Sequence, residues 1–456
     1  MIPLVNLPAP FLTDEKALMP LGLLYLGASI EHAGRDCKIL DLAGDKDYIT
    51  KALDQLSELK TDVVGIGLTS SQVPLGRRLV HAIKKEYPKI RIIGGGPHVT
   101  HAFQASRRQS VRCEKLIRDL NDTYNVLVMG DAEKAILKAA EPDSPKLIDA
   151  THKLSPYYVE DDYLDTIPFP ARHLIDVDSY SYNLGMVTIK ENNAINIMSQ
   201  RGCPYSCRFC ASRMDKYGRT LRRTSNFKIV EEIKHLHKTY GYTYFTFYDD
   251  ELNVDPNLNT LLDQLKDVQM ELGAAFKFRA FVKANLCTRE QMKAMADTGF
   301  KVIATGAESG SERILKNMNK KATKEINTKV VEWVHEFGMY SKSIMSLGHP
   351  GETPETLAET EAWLDQVKLS DVNFTIIECL PSSVYFDNAI QNDKGVWVYT
   401  VPENGDKLYD IGIDWTEEVH FHNAAPGQQY NPTVYTDALS QDDLMKWHTY
   451  FSKKFK

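Results

Sequence analysis

The sequence predicts an α/β protein with a Rossmann-like parallel sheet at the N-terminus, a partial (β/α)6 barrel after it, and a small C-terminal extension. Three observations carry this. Short apolar runs alternate with helical patterns over residues 1–140. A proline-rich stretch with Pro142, Pro145, Pro156, Pro168 and Pro170 then breaks the alternation, and residues 141–190 read as a linker. From Ile195 the alternation resumes for six more strand–helix units, over 191–390.

In the first domain, Ile2–Leu7, Cys37–Leu42, Asp62–Leu68, Ile90–Gly94 and Tyr124–Met129 read as strands. Leu21–Ala33, Tyr48–Leu59, Leu75–Tyr87 and Ala132–Ala139 read as helices by apolar spacing. In the second, strands are expected at Ile195–Gln200, Tyr244–Tyr248, Phe276–Phe281, Val302–Thr305, Ser341–Leu347 and Asn373–Cys379. Helices are expected at Ile229–Tyr240, Asn257–Glu271, Arg289–Thr298, Lys324–Phe337 and Glu355–Val367. Six units suit a partial barrel rather than a closed eightfold one. The extension, 391–456, is aromatic and short-stranded, and ends in a helix at Gln441–Phe455.

Composition narrows the function. The 456 residues are 43% hydrophobic and 25% charged, ordinary for a globular protein. A net charge of −7 leaves no basic excess to neutralise phosphates and argues against nucleic acid as partner. No apolar run is long enough to span a bilayer. The N-terminal Met-Ile-Pro-Leu-Val-Asn lacks a basic n-region, and a cytoplasmic location is expected. Seven cysteines in a chain of this size do not suggest a disulfide framework. Cys37, Cys113, Cys287 and Cys379 are scattered and read as buried free thiols.

The other three cysteines lie within eight residues, in Ser199-Gln-Arg-Gly-Cys203-Pro-Tyr-Ser-Cys207-Arg-Phe-Cys210. Thiolates select iron–sulfur clusters or zinc. A structural zinc site takes four protein ligands, and no fourth Cys or His stands nearby. Three thiolates on a cubane leave one iron open for another ligand. A chance triplet, or half a zinc knuckle, is the bland reading. The spacing C-x3-C-x2-C, with aromatic Phe209 before the third cysteine, resembles the radical SAM superfamily.

That resemblance implies a [4Fe-4S] cluster on Cys203, Cys207 and Cys210, with S-adenosylmethionine (SAM) on its open iron. One electron, from an external donor such as flavodoxin or ferredoxin, would then cleave SAM to a 5′-deoxyadenosyl radical. Further motifs resemble the same family: Thr246-Phe-Tyr-Asp-Asp-Glu251, Gly306-Ala-Glu-Ser-Gly310 and Met345-Ser-Leu-Gly-His-Pro-Gly-Glu-Thr353. They imply SAM contacts at Tyr248, Asp249, Asp250, Glu251, Glu308 and Ser309. Arg279 could meet a carboxylate of SAM or substrate. Solvated carboxylates or helix caps, and for Arg279 a surface ion pair, are the plainer readings. Arg213, Lys216, Arg219, Arg222 and Arg223 form a small basic patch, read as a solvated loop face.

Upstream, Met19-Pro-Leu-Gly-Leu-Leu-Tyr-Leu26, Asp62–Ser71, Arg91–His98 and Val128–Glu133 look like the cobalamin-binding domain fused to many radical SAM enzymes. The implied cobalamin contacts are Pro20, Leu21, Thr69, Ser70, Ser71, Gly94, Gly95, Gly96, His98 and Gly130. Bare glycines let backbone approach a large ligand, and short hydroxyls offer hydrogen bonds at the sheet edge. A generic sheet with structural glycines is the plainer alternative. The D-x-H-x-x-G motif that supplies a cobalt-ligating histidine has no match; Asp41-Leu-Ala-Gly44 lacks the histidine. Cobalamin, if bound, is expected without a histidine on cobalt. Cys379–Phe386 also departs from the P-G-T pattern of relatives.

The expected activity is a cobalamin-dependent radical SAM enzyme that methylates an unactivated carbon of a small-molecule or peptide substrate. Cyclisation or rearrangement with the same cofactors shares every motif. A corrinoid- or SAM-binding sensor is the reading from another class, and three intact cysteines weigh against it. No motif identifies the substrate or a catalytic side chain.

Overall fold

The structure is a computed structural model that describes residues 1–456 apart from 11, 13, 109, 181–193, 212–215, 416–430 and 456. The chain forms two compact units: Met1–Tyr182 with Ile413–Tyr430, and Asn183–Gly412 with Asn431–Lys456.

The first unit is a doubly wound sheet. Its strands are β1 (Ile2–Asn6), β2 (Cys37–Asp41), β3 (Val63–Gly67), β4 (Arg91–Gly95), β5 (Val126–Met129) and β6 (Leu147–Asp149), all parallel, in the order β2-β1-β3-β4-β5-β6. Strands covered on both faces read as apolar runs, and all four side chains of β5 are buried. Helices α1 (Leu21–His32), α2 (Tyr48–Leu59), α3 (Val73–Glu86), α4 (Pro97–Arg107), α5 (Glu114–Thr123) and α6 (Ile136–Ala139) connect them, and α7 (Asp161–Thr166) follows β6. Four elements were not expected, α7 among them, since it lies in the 141–190 stretch. Helices α4 and α5 fill the β4–β5 connection, and β6 lies within the stretch read as linker. Part of that stretch, residues 181–190, falls outside the described residues, as does Arg213. The strand order reverses between β1 and β3, so ligand-binding loops gather beyond the carboxyl ends there.

The second unit is an open six-stranded parallel sheet. Its strands are β7 (Ala194–Ile197), then, after a two-stranded hairpin of β8 (Gln200–Arg201) and β9 (Arg222–Arg223), β10 (Tyr244–Phe247), β11 (Lys277–Phe281), β12 (Phe300–Glu308), β13 (Tyr340–Leu347) and β14 (Asp371–Ile376), in the order β14-β13-β12-β11-β10-β7. Edge strands β7 and β14 do not pair with each other, which makes the barrel partial. Helices α8 (Lys216–Arg219), α9 (Asn226–Tyr240), α10 (Leu258–Leu272), α11 (Arg289–Thr298), α12 (Glu312–Asn317), α13 (Lys324–Glu336), α14 (Pro354–Val367) and α15 (Val384–Asp387) complete it. Side-chain oxygens of Ser225, Thr288, Thr323 and Thr353 cap α9, α11, α13 and α14, which sets where those helices start.

Alternation along the strands separates two faces. One carries an aromatic core of Phe245, Phe247, Phe278 and Phe300, with Phe278 and Phe300 centroids 5.2 Å apart; each such pair is worth ~0.5–1.5 kcal/mol beyond its buried area. The other carries polar residues in register, Asn196 beside Thr246 and Thr246 beside Arg279. The extension adds an antiparallel sheet of β15 (Ile390–Gln391), β16 (Trp397–Thr400), β17 (Lys407–Asp410) and β18 (Val434–Tyr435), then α16 (Gln441–Lys454), which packs on β14. Among the described residues, no helix is long and apolar enough to cross a membrane.

Candidate functional site

The three cysteines sit on the excursion between β8 and β9, just past the carboxyl end of β7. The neck of this loop closes on Gly202, whose φ is +89° and where a Cβ would lie 2.5 Å from the Thr220 carbonyl oxygen. Cys203 N donates to the Gly218 carbonyl at 3.1 Å, and Cys210 N to the Cys207 carbonyl at 3.2 Å. Distant elements pin the middle. Arg208 N donates to Met318 O at 2.9 Å, Asn319 Nδ2 to Ser206 O at 2.9 Å, and the Arg208 guanidinium forks onto Glu403. Phe209 packs on Ile314, Leu315 and Met318. Cys203 and Cys207 are buried and Cys210 is half-buried.

Among the described residues, no three His, Cys, Asp or Glu side chains converge around one point as a single ion requires. The donor set is three soft thiolates on one pinned loop with no fourth Cys or His beside them in the sequence, and that chemistry fits a cluster with one iron left open. Two lysines lie beside it. Burial works against the Lys320 ammonium, yet Glu308, Cys207 and Glu251 outweigh it and hold the group above its ordinary range. Lys283 goes the other way, lowered by burial and by Lys320, while Cys207 and Glu251 oppose that. Lys283 Nζ also donates to Lys320 O at 2.9 Å and sits 4.8 Å above the Tyr205 ring.

Glu308 ends β12 at a register irregularity, with φ at +67°. Its Oε1 is 3.1 Å from Lys320 Nζ, and its Oε2 accepts from Ser346 Oγ at 2.8 Å. Gly306 is bare because a Cβ there would lie 2.5 Å from Glu308 Oε1 and 2.9 Å from Lys320 Nζ. A strained carboxylate held over bare backbone at a strand end is a site feature. Glu251 lies near the same lysines. Burial raises its carboxyl, Lys320 and Lys283 pull it down, and its Oε2 has no hydrogen-bond partner among the described residues. These residues fit a ligand that binds through amino, carboxylate and hydroxyl groups.

The other expected SAM residues divide. Tyr248 and Asp250 are exposed. Asp249 is buried with Oδ1 accepting from Ser199 N, Ser199 Oγ and Gln200 N, so it fastens the β7–β8 turn. Burial pushes its carboxyl up to about 7. Ser309 faces the protein, with Oγ 3.2 Å from Thr360 Oγ1. Arg279 stands apart from the lysine–glutamate group. Burial lowers its guanidinium's pKa, Tyr244 and Asp371 oppose that, and its Nε has no partner among the described residues. In the basic patch, Arg222 is buried over the Tyr217 ring and Arg223 pairs with Asp255 at 3.1 Å. Sequence reasoning missed Lys283 and Lys320, and Tyr385 stood only as a letter in the Cys379–Phe386 stretch. His349 and Ser346 were visible only as letters in a quoted loop.

In the first unit, the loops after β1, β3, β4 and β5 meet at one sheet edge. Gln72 Nε2 donates to Leu7 O at 3.0 Å, Leu68 N to Gly95 O at 3.0 Å, and His98 N to Leu68 O at 3.1 Å. Thr69 is exposed, and Ser70, Ser71, Gly95 and Gly96 are half-buried, which leaves small groups and backbone along the edge. Pro20 caps α1 and Leu21 is buried. Two of the expected ligand glycines make room for the protein itself. A Cβ at Gly94 would lie 2.7 Å from the Tyr124 ring, and one at Gly96 2.8 Å from the Leu68 backbone. Gly130 approaches Ala150 in the same way. His98 is fully buried, with Nδ1 3.0 Å from Ser70 Oγ, its ring 5.7 Å from Trp415, and Nε2 without a partner among the described residues. Burial, with His101 nearby, lowers its pKa to about 3 and keeps it neutral. Asp41 is occupied by Asn6 and Tyr180. The open edge of small residues fits a large planar ligand with a nucleotide tail.

Residues 197–364 match the family model of the radical SAM superfamily, and residues 12–113 match that of the B12 binding domain. The chain thus carries a radical SAM domain and, ahead of it, a B12-binding domain. It is a radical SAM enzyme. It is similar to an uncharacterized methyltransferase of Pyrococcus horikoshii, at 26% identity over 82% of this chain and 79% of that one. It is also similar to the cytidylyl-2-hydroxyethylphosphonate methyltransferase of Streptomyces wedmorensis, at 24% identity over 76% of this chain and 72% of that one. Its fold resembles that of the radical SAM methyltransferase TsrM from Kitasatospora setae, solved with cobalamin and a [4Fe-4S] cluster (TM-score 0.66, 16% identity, 89% of this chain and 81% of that one). A second structure of TsrM, with tryptophan substrate and a SAM analogue, gives a TM-score of 0.67 at 15% identity over 99% and 88%.

Proposed function

We propose that this enzyme is a cobalamin-dependent methyltransferase that acts on an unactivated carbon of a small-molecule or peptide substrate. The observation that carries the reading is the pinned loop of Cys203, Cys207 and Cys210 beside Glu251, Glu308, Lys283 and Lys320, in a chain that also carries a B12-binding domain. The methyltransferases among its relatives support it.

Cys203, Cys207 and Cys210 would hold the cluster, and the edge from Thr69 to Ser71 and Gly95 to His98 would hold cobalamin. Bound there, the cluster with SAM supplies a 5′-deoxyadenosyl radical and cobalamin supplies the methyl group. The chain's own work is to bind and orient. Glu308, held by Lys320 and Ser346, would accept hydrogen bonds from SAM, and Glu251 would receive its amino end. Lys283 and Lys320 offset negative charge at the thiolates. Burial of the loop limits water at the reacting carbon. An external donor such as flavodoxin or ferredoxin supplies the electron, and a reducing cytoplasm suits the cluster.

The test is anaerobic reconstitution with cobalamin, SAM, a strong reductant and candidate substrates, followed by mass spectrometry of product. A gain of one CH2 unit supports methylation. Turnover with no gain replaces it with cyclisation or rearrangement.

A further inference from the structure

The barrel unit holds a buried polar chain whose outer members, His349 and Tyr385, the reading above leaves without a task. Tyr385 Oη lies 3.2 Å from His349 Nδ1, His349 Nε2 lies 2.7 Å from Ser346 Oγ, and Ser346 Oγ lies 2.8 Å from Glu308 Oε2. Tyr385 and His349 are 0% exposed, Ser346 6% and Glu308 7%.

The proton positions in this chain follow from counting. The Glu308 carboxylate, paired with Lys320, only accepts, so Ser346 spends its single hydroxyl proton on it. Ser346 must then accept from His349, which puts the imidazole proton on Nε2. Nδ1 is left as an acceptor, and Tyr385 donates to it. A neutral ring is required, and burial, which lowers His349 to about 4, keeps it neutral. Every donor in the chain points toward Glu308. Tyr385 reaches the cysteine loop as well, since its N–H donates to Arg208 O at 3.3 Å. The Phe209 ring meets His349 edge-on at 5.5 Å.

We propose that Ser346, His349 and Tyr385 are positioning residues that aim the Glu308 carboxylate at SAM. The inference rests on the reading of Glu308 as a SAM contact. A carboxylate at φ +67° keeps its place only if its surroundings over-determine it. Lys320 fixes one oxygen, and this chain fixes the other. With Tyr385→Phe, the imidazole is free to take the other tautomer. Ser346 can then turn its proton toward His349, and Glu308 loses a donor without losing packing volume.

The experiment measures SAM affinity by calorimetry on anaerobically reconstituted protein, beside iron content and melting temperature. Y385F and S346A should each weaken SAM binding by about three- to tenfold at unchanged iron content. His349→Gln keeps an N–H for Ser346 and should recover part of what His349→Phe loses. SAM binding by wild type, with Y385F and S346A within about twofold of it, overturns the proposal whatever happens to the melting temperature. Failure of the wild type itself to bind SAM overturns instead the reading of the site on which the proposal rests.

Discussion

Replacing Lys320 by Met removes the cation that holds Glu308 and keeps most of the side-chain volume. The two side chains are 8% and 9% exposed, so water cannot take the place of the ammonium. Breaking a buried pair from one side costs about 3–5 kcal/mol, because the partner's charge stays buried. In a unit of this size each kcal/mol moves the melting temperature by about 2–4 °C, so the drop should be roughly 6–20 °C. Differential scanning calorimetry at neutral pH reads it directly. The double variant K320M/E308Q removes the stranded charge and should regain more than half of the loss. A drop below about 2 °C in K320M, or a double variant no better than the single one, would refute the claim that burial makes this pair matter.

Three further outcomes are expected. Cys203→Ala, Cys207→Ala or Cys210→Ala should each abolish SAM cleavage with the fold largely kept; a triple variant that still holds about four irons per chain would mean the ligands are elsewhere. Glu352, with its carboxyl pushed up to about 8 by burial against an ordinary 4.5, is neutral in the fold at low pH, so its contribution is fully present below about 4.5 and lost as pH rises through about 8. Glu352→Gln should flatten that decline in urea unfolding, and a slope equal to wild type would sink the assignment. The cob(II)alamin form should give an electron paramagnetic resonance spectrum without nitrogen splitting, because His98 is buried against Trp415; a clear three-line pattern would contradict this.

The strands were legible because parallel strands covered on both faces are written as apolar runs: Val126–Met129 and Val63–Gly67 lie within one or two residues of their expected bounds. Helix α11 was expected at Arg289–Thr298 and is found there, between a Thr288 cap and Gly299. Helix α4 was missed because Pro97, after three glycines, reads as a break, yet proline at the first turn of a helix costs no hydrogen bond. Strand β6 is three residues long, too short for a periodic signal. The cysteine spacing pointed to its chemistry, whereas Lys283 and Lys320 look like any surface lysine. Their burial is decided by α12 and the turn after it folding over the cysteine loop, a contact between residues about a hundred positions apart. Gly94 and Gly96 are ambiguous letters, since a bare strand end serves Tyr124 and Leu68 as well as it would serve a ligand.

In the function proposed above, Cys203, Cys207 and Cys210 carry a cluster that cleaves SAM reductively. The direct measurement is 5′-deoxyadenosine released by the anaerobically reconstituted protein with SAM and a strong reductant, with candidate substrate present. It should accumulate with wild type and be absent from Cys207→Ala. No 5′-deoxyadenosine from a wild type that holds its full complement of iron and binds SAM would contradict it, and would leave a protein that binds both groups without turning SAM over.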